Sequence, residues 1–308
     1  MEYKSYPQIK NAFLLCLIFL LLQVGFGVVF VLAGAIIKSI FDYTPDSTLT
    51  GIIKGMLLFP SIGLAILIGY KKTKRPFAES FPLKKIPIKI WPSLVIFMTG
   101  YIILSAKLAY LVQTVFPAPD SMFKTFENLT GNQNIVISLI IIAVIPGIFE
   151  EMLFRGLFVT GFSRTYSLRT TIIMSAFLFS LIHLNPWQSI NTFFFGLILA
   201  WMYIRTGSLL APVFMHFFNN ALAVIAGYVE KLSPDTDYGE VVLPHLWFSL
   251  VGLTLIAIGL FFLLKTLPPK EESLFTVIKA RLAKEADILP EGENMAECSP
   301  EEELPHGA

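Results

Sequence analysis

The sequence predicts an all-α, polytopic membrane helix bundle of about eight transmembrane helices, with both termini cytoplasmic. Three observations predict it. Only 15% of the 308 residues are charged while 55% are hydrophobic, with a mean hydropathy of +0.70; a soluble domain carries about 25% charged residues. The apolar residues come in long uncharged blocks, not in the short alternating strands of an outer-membrane barrel. Basic and acidic loops alternate between those blocks along the whole chain. The same composition excludes other classes. It is too apolar for a disordered chain. With 23 Lys+Arg against 22 Asp+Glu, the net charge of +1 leaves no basic excess for nucleic acid. Two cysteines, one of them (Cys16) inside an apolar run, cannot build a disulfide scaffold.

About 20 apolar residues cross a bilayer as a helix. The predicted spans are residues 11–37, 55–70, 90–116, 134–162, 170–185, 189–204, 208–229 and 245–264. Pro186 and Trp187 mark a tight turn between the fifth and sixth. Lys4 and Lys10 precede the first span, and Lys71, Lys72, Lys74 and Arg75 follow the second. Arg164 and Arg169 follow the fourth, Arg205 the sixth, and Lys265 and Lys270 the eighth. The other loops carry Asp42 and Asp46, then Asp120 and Glu127, then Glu230, Asp235, Asp237 and Glu240. An excess of Lys and Arg marks the cytoplasmic side. The chain divides into residues 1–133 with the first three spans, a core at 134–228, an external loop and last span at 229–267, and a polar acidic tail at 268–308. Within the tail, residues 273–284 have two readings, a mobile segment, which is favoured, and a short amphipathic helix lying at the membrane interface.

Charge buried inside a span costs roughly 2.5–3.5 kcal/mol per residue on insertion scales and marks function. The buried charge here gathers in the second half of the chain. Glu150, Glu151 and Arg155 lie in span four, His183 in span five, and His216 in span seven with Asn219 and Asn220 just beyond. At about 1.5 Å of rise per residue, Glu151 lies about 20 Å from the level of Arg164, and His183 about 21 Å from Arg169. By the same measure His216 and Asn220 lie about 16 and 22 Å from Arg205. Three helices thus bring polar groups to one level. Glu151 and Arg155 share a helix face and can pair, leaving Glu150 free. Phe179 and His183 share a face, as do His216 and Asn220. Pro146 and Pro212 each stand four residues before a key polar side chain, where a membrane helix can bend toward a cavity. A wet cavity enclosed by spans four, five and seven follows.

A free carboxylate beside a histidine can activate water, and a second histidine with an asparagine can donate to a developing oxyanion. Alternatively Glu150, His183 and His216 could ligate Zn²⁺ with water in the fourth position. Either arrangement hydrolyses an amide. Other hydrolase designs fit poorly, because G-x-S-x-G and H-E-x-x-H are absent and every aspartate lies outside the spans.

The residues resemble a known family at this point. Glu150-Glu151-Met152-Leu153-Phe154-Arg155 follows E-E-x-x-x-R, Phe179-Ser180-Leu181-Ile182-His183 follows F-x-x-x-H, and His216-Phe217-Phe218-Asn219-Asn220 follows H-x-x-x-N. In that order these are the motifs of the CPBP intramembrane proteases, which include the type II CAAX prenyl endopeptidases. The resemblance covers about residues 134–228. It implies an intramembrane endopeptidase in which Glu150 and His183 activate water and His216 and Asn220 hold the oxyanion, with Glu151, Arg155 and Phe179 supporting them. It also implies a membrane-embedded or lipidated peptide substrate, and a chain integral to a membrane, expected to be the cytoplasmic membrane of a bacterium. Members are described as metalloproteases, yet a metal-free glutamate mechanism has been argued for them. The metal-free form is favoured here, because three helices supply one donor each and Asn220 is not the acceptor a zinc-bound histidine usually has behind it. Two other classes compete: a non-catalytic immunity or scaffold protein, and a proton-coupled transporter. The filled motif positions argue against the first, and the absence of paired interrupted helices in two repeated halves argues against the second.

Overall fold

The computed structural model of the chain describes residues 6–43, 50, 53, 55–119, 134–232 and 245–287. The acidic positions Asp46, Asp120, Glu127, Asp235, Asp237 and Glu240, along with Lys4 and the tail from residue 288 on, lie outside the described residues. Among the described residues there is helix and turn, and no strand. The long helices are α1 (Ile9–Phe41), α2 (Leu58–Thr73), α4 (Ile90–Val115), α5 (Ile135–Thr165), α6 (Leu168–Leu181), α7 (Pro186–Thr206), α8 (Leu210–Leu232) and α9 (Leu246–Thr266). A one-turn helix, α3 (Phe77–Ser80), follows α2, and α10 (Leu274–Asp287) closes the described chain.

Each predicted span is helical over most of its length, the fifth ending at Leu181, short of His183, and among the described residues five helices are long and apolar enough to cross a membrane: α1, α4, α5, α9, and α8 over Leu210–Val229. The other three are shorter or more polar. α2 has 16 residues and α6 has 14, so α6 is only about 21 Å long against a hydrocarbon core of about 30 Å. α7 has 21 residues but carries Gln188, Asn191 and Thr192 along its first half. The structure therefore supports an all-α membrane bundle, and the count of eight crossings is a proposal.

The helix boundaries follow from local chemistry. Asn134 and Ser167 cap α5 and α6, accepting from Val136 N at 2.9 Å and Thr170 N at 3.2 Å. Asn185 does the same for α7, accepting from Trp187 N and Gln188 N at 3.1 and 3.2 Å, with Pro186 at the first helical position. α7 ends on Gly207, whose φ of +60° closes the helix at the left-handed position a side chain disfavours. The turn between α6 and α7 is so tight that the two helices run back on each other.

α5 departs from a regular α-helix. It is π-helical over Leu139–Val144 and again over Met152–Val159, with the α-helical turns of Ile145–Glu151 between. Such segments release carbonyls from the intrahelical ladder, and they concentrate at functional sites. Ser175 on α6 donates to the Phe154 carbonyl at 3.2 Å. Asn220 on α8 donates to the Ile142 carbonyl at 2.9 Å. Ile142 lies four residues before Pro146, which has no N–H to offer it.

The bundle closes where small residues let backbones touch, the packing mode of membrane helices. α4 and α9 meet through Gly100, Gly252 and Gly259. A Cβ on Gly100 would stand 2.6 Å from the Gly252 carbonyl oxygen, and one on Gly259 would stand 2.6 Å from the Phe97 Cα. At one end of the bundle the first and last described segments converge. Arg75 donates to the Tyr6 carbonyl at 3.2 Å, and Glu79 accepts from Arg164 and, at 3.3 Å, from Arg281 on α10. Lys279 of α10 reaches the Arg164 carbonyl at 3.4 Å. Burial, reinforced by the nearby Arg164 guanidinium, lowers the Arg75 pKa to about 10, which still leaves it charged at neutral pH. The tail segment favoured as mobile is thus helical, and it packs on the bundle through Leu274, Phe275 and Ile278 while Val277 stays exposed.

The close α4–α9 contact makes a direct prediction. Gly259→Val should lower the thermal unfolding temperature in detergent by several degrees, because Phe97 backbone cannot yield. Gly25→Val, where an added Cβ meets nothing within 4 Å, should leave it unchanged. Equal unfolding temperatures would show that the helices do not touch at these glycines.

Candidate active site

The buried charges gather where α5, α6, α7 and α8 meet. Glu151 and Arg155 are both fully buried and pair at 2.9 Å across one helical turn. Arg155 also donates to the Gly196 carbonyl of α7 at 3.2 Å, and its guanidinium lies 4.6 Å from the centroid of the Phe179 ring. Gly196 lets α7 lie this close to α6, since a Cβ there would come within 2.9 Å of the Ala176 Cα. The Glu151 carboxylate oxygen that accepts from Arg155 also accepts from His216 Nδ1, at 2.8 Å. One carboxylate therefore ties α5 to α8. The His216 ring is wedged between the rings of Phe179 and Phe195, each edge-on with centroids 5.7 Å away.

Glu150 stands outside this pair. It is 7% exposed, and its Oε2 is buried with no hydrogen-bond partner among the described residues. His183 sits in the turn just past the end of α6, where its Nδ1 bonds the Phe179 carbonyl at 2.7 Å. A carbonyl only accepts, so Nδ1 carries the proton and Nε2 is free. In both histidines Nδ1 is held by an oxygen and Nε2 is the atom left for chemistry.

Glu150, Phe179, His183, His216, Asn219 and Asn220 line one cavity of about 330 Å³. Sequence reasoning placed its walls on spans four, five and seven. The structure adds Gln188, Thr192 and Phe195 from α7, and Gln23 from α1. The α7 residues enter because the turn at Asn185-Pro186 lays α7 directly beside α6. Their signal was a run of polar residues at the start of an otherwise apolar span. Gln23 had a signal too, as the lone amide in the middle of the first apolar run.

Asn220 is engaged on both sides. Its Nδ2 donates to the Ile142 carbonyl, and its Oδ1 accepts from Asn219 at 3.0 Å. An amide nitrogen carries two hydrogens, so one N–H is uncommitted by these bonds.

A metal fits this site only in part. Glu150, His183 and His216 are donors of the kind Zn²⁺ takes. Sequence reasoning offered only Asn220 behind His216, whereas the structure has a carboxylate there and a backbone carbonyl behind His183, as metal-bound histidines have. The spacing does not follow. Among the described residues no three His, Cys, Asp or Glu side chains stand close enough together to hold an ion.

The two adjacent glutamates differ in what they hold. Glu151→Gln leaves the buried Arg155 without its counter-charge and should cost about 3–5 kcal/mol of stability. Glu150→Gln removes a carboxylate with no such partner and should leave the unfolding temperature within a degree or two of the parent. Equal losses for both variants would contradict the division.

No curated protein and no solved structure matches the chain. A family model does match, and it covers residues 132–222, the stretch that contains the E-E-x-x-x-R, F-x-x-x-H and H-x-x-x-N residues. Over that stretch the chain is similar to the type II CAAX prenyl endopeptidase Rce1-like family, the likeness that its CPBP-type motifs also carry.

Proposed function

We propose that the protein is an intramembrane endopeptidase that cleaves a membrane-associated, lipidated peptide with a water activated by Glu150 and His183. One observation carries most of the weight: a single cavity lined by an unpaired buried carboxylate and two histidines whose Nδ1 atoms are both held from behind. The Rce1-like segment supports protease chemistry of the CAAX type and a prenylated substrate.

In this reading Glu150 and the Nε2 of His183 hold the water between them. As the water oxygen attacks the scissile carbonyl carbon, Glu150 takes its proton. The carbonyl π pair moves onto oxygen, and the oxyanion is met by His216 Nε2–H and the uncommitted Asn220 N–H. His216 donates from Nε2 only as an imidazolium, since its Nδ1–H is already given to Glu151. Glu151 is the counter-charge for that cation. Two carboxylates, Arg155 and protonated His216 then sum to zero, so the site holds four charges in an apolar surrounding without a net one. Collapse of the tetrahedral intermediate breaks the C–N bond, and Glu150 returns its proton to the leaving amine. Glu151 and Arg155 position His216, and Phe179 packs between the Arg155 and His216 groups. No step above draws on a metal ion, for which the described residues offer no group of three donors. The basic ends of the helices point to the cytoplasm by charge bias, and we place the chain in the cytoplasmic membrane of a bacterium.

The test is cleavage of a prenylated CAAX-box peptide by the reconstituted full chain. Glu150→Gln should abolish turnover, and His216→Ala should lower kcat at least about tenfold with a smaller change in KM. Activity should survive dialysis against a chelator. Full activity of Glu150→Gln would refute the assignment, and loss on chelation restored by stoichiometric Zn²⁺ would refute the metal-free route.

A further inference from the structure

An apolar groove adjoins the polar cavity at one shared residue. A groove of about 480 Å³ runs along the second half of α1 and is lined by Val24, Gly27, Val28, Val31 and Leu57 among others. Gln23 lines both this groove and the cavity that holds Glu150, His183 and His216. Gln23 also matches the site in depth: it lies 13 residues beyond Lys10, about 20 Å, the same estimate as for Glu151. From Gln23 the groove extends to Leu32, about 14 Å along the helix and away from the basic end. Its walls face the outside of the bundle, since Val24, Val28 and Val31 are 66%, 52% and 63% exposed.

An amide in the middle of a lipid-facing helix is costly unless something hydrogen-bonds it. Gln23 has no hydrogen-bond partner among the described residues. Its side chain offers one acceptor and two donors, which matches a peptide backbone. A molecule that fills both compartments must join a polar peptide to an apolar chain, with the junction at Gln23.

We infer that the second half of α1 seats the apolar chain of the substrate, and that Gln23 is a positioning residue that hydrogen-bonds the substrate backbone where peptide meets chain. This rests on the protease reading and assigns to α1 a specificity role that the motif residues on α5, α6 and α8 do not have. Gly27 is the position at which the groove can be filled, because an added Cβ there meets nothing within 4 Å.

The experiment uses the full chain in proteoliposomes and a set of CAAX-box peptides of one sequence, whose cysteine sulfur carries methyl or a chain of one, two or three isoprene units. The parent's kcat/KM should rise with chain length. Gly27→Phe should flatten that rise, increasing KM for the longest chain at least about tenfold while leaving the methylated peptide within about twofold. Gln23→Leu should raise KM for every peptide and leave kcat unchanged. An unchanged length dependence in Gly27→Phe, or parental kinetics in Gln23→Leu, would overturn the inference while leaving the protease reading intact. A binding readout separates the two readings. In the Glu150→Gln background, a photoreactive group at the end of the longest chain should crosslink to α1, and Gly27→Phe should abolish the crosslink. Crosslinking elsewhere than α1 would equally overturn it. A parent that cleaves none of the peptides would refute the protease reading instead, whatever the crosslink shows.

Discussion

The Glu151 carboxylate is the point on which the rest of the core depends. It is fully buried, and one of its oxygens accepts from both Arg155 and His216. Without it a guanidinium would sit uncompensated in an apolar interior, where leaving one partner of a buried pair is far more costly than the pair is favourable. With it, α8 is fastened to α5 at the level where the cavity opens. Arg155 extends the fastening to α7 through the Gly196 carbonyl and to α6 through the face of Phe179. Four helices therefore meet around one charge, and Glu150 is left beside it free of the ion pair.

Two π-helical segments flank the α-helical turns of Ile145–Glu151. A loosened ladder on either side releases carbonyls at Ile142 and Phe154, which Asn220 and Ser175 take up from the neighbouring helices. Polar backbone at membrane depth is tolerated where other helices satisfy it. The same bonds that repair the helix hold α6 and α8 against it, so the irregularity and the tertiary packing stabilise each other. Asn220 consequently serves as a tie between helices as well as a donor facing the cavity.

Much of this could be read from residue spacing. The i,i+4 pairing of Glu151 with Arg155 and the freedom of Glu150 follow from helical periodicity, and the geometry agrees; Phe179 and His183 do meet, but across the turn that ends α6 and not on one helix face. The convergence of three helices at one depth followed from the rise per residue. Other features were not legible, for physical reasons. A π-helix has no residue signature distinct from an apolar α-helix, so α5 read as one regular span. The second partner of Glu151 lies 65 residues away in sequence, beyond any local pattern. The α7 wall depended on a tight turn whose direction sequence does not specify. The amphipathic tail helix was legible only as the less favoured reading, because its docking on α5 through Lys279 requires Arg164 to be in reach.

A double-mutant cycle on Glu151 and Arg155 tests the central claim most directly. Thermal unfolding would be measured for the parent, Glu151→Gln, Arg155→Met and the pair of substitutions together. If one buried charge organises the core, the losses are strongly non-additive, and the double variant is no less stable than Glu151→Gln alone, since both charges leave together. Losses that simply sum would contradict the account, for they would mean that the two groups act independently and that Glu151 is not the charge on which Arg155 and the site depend.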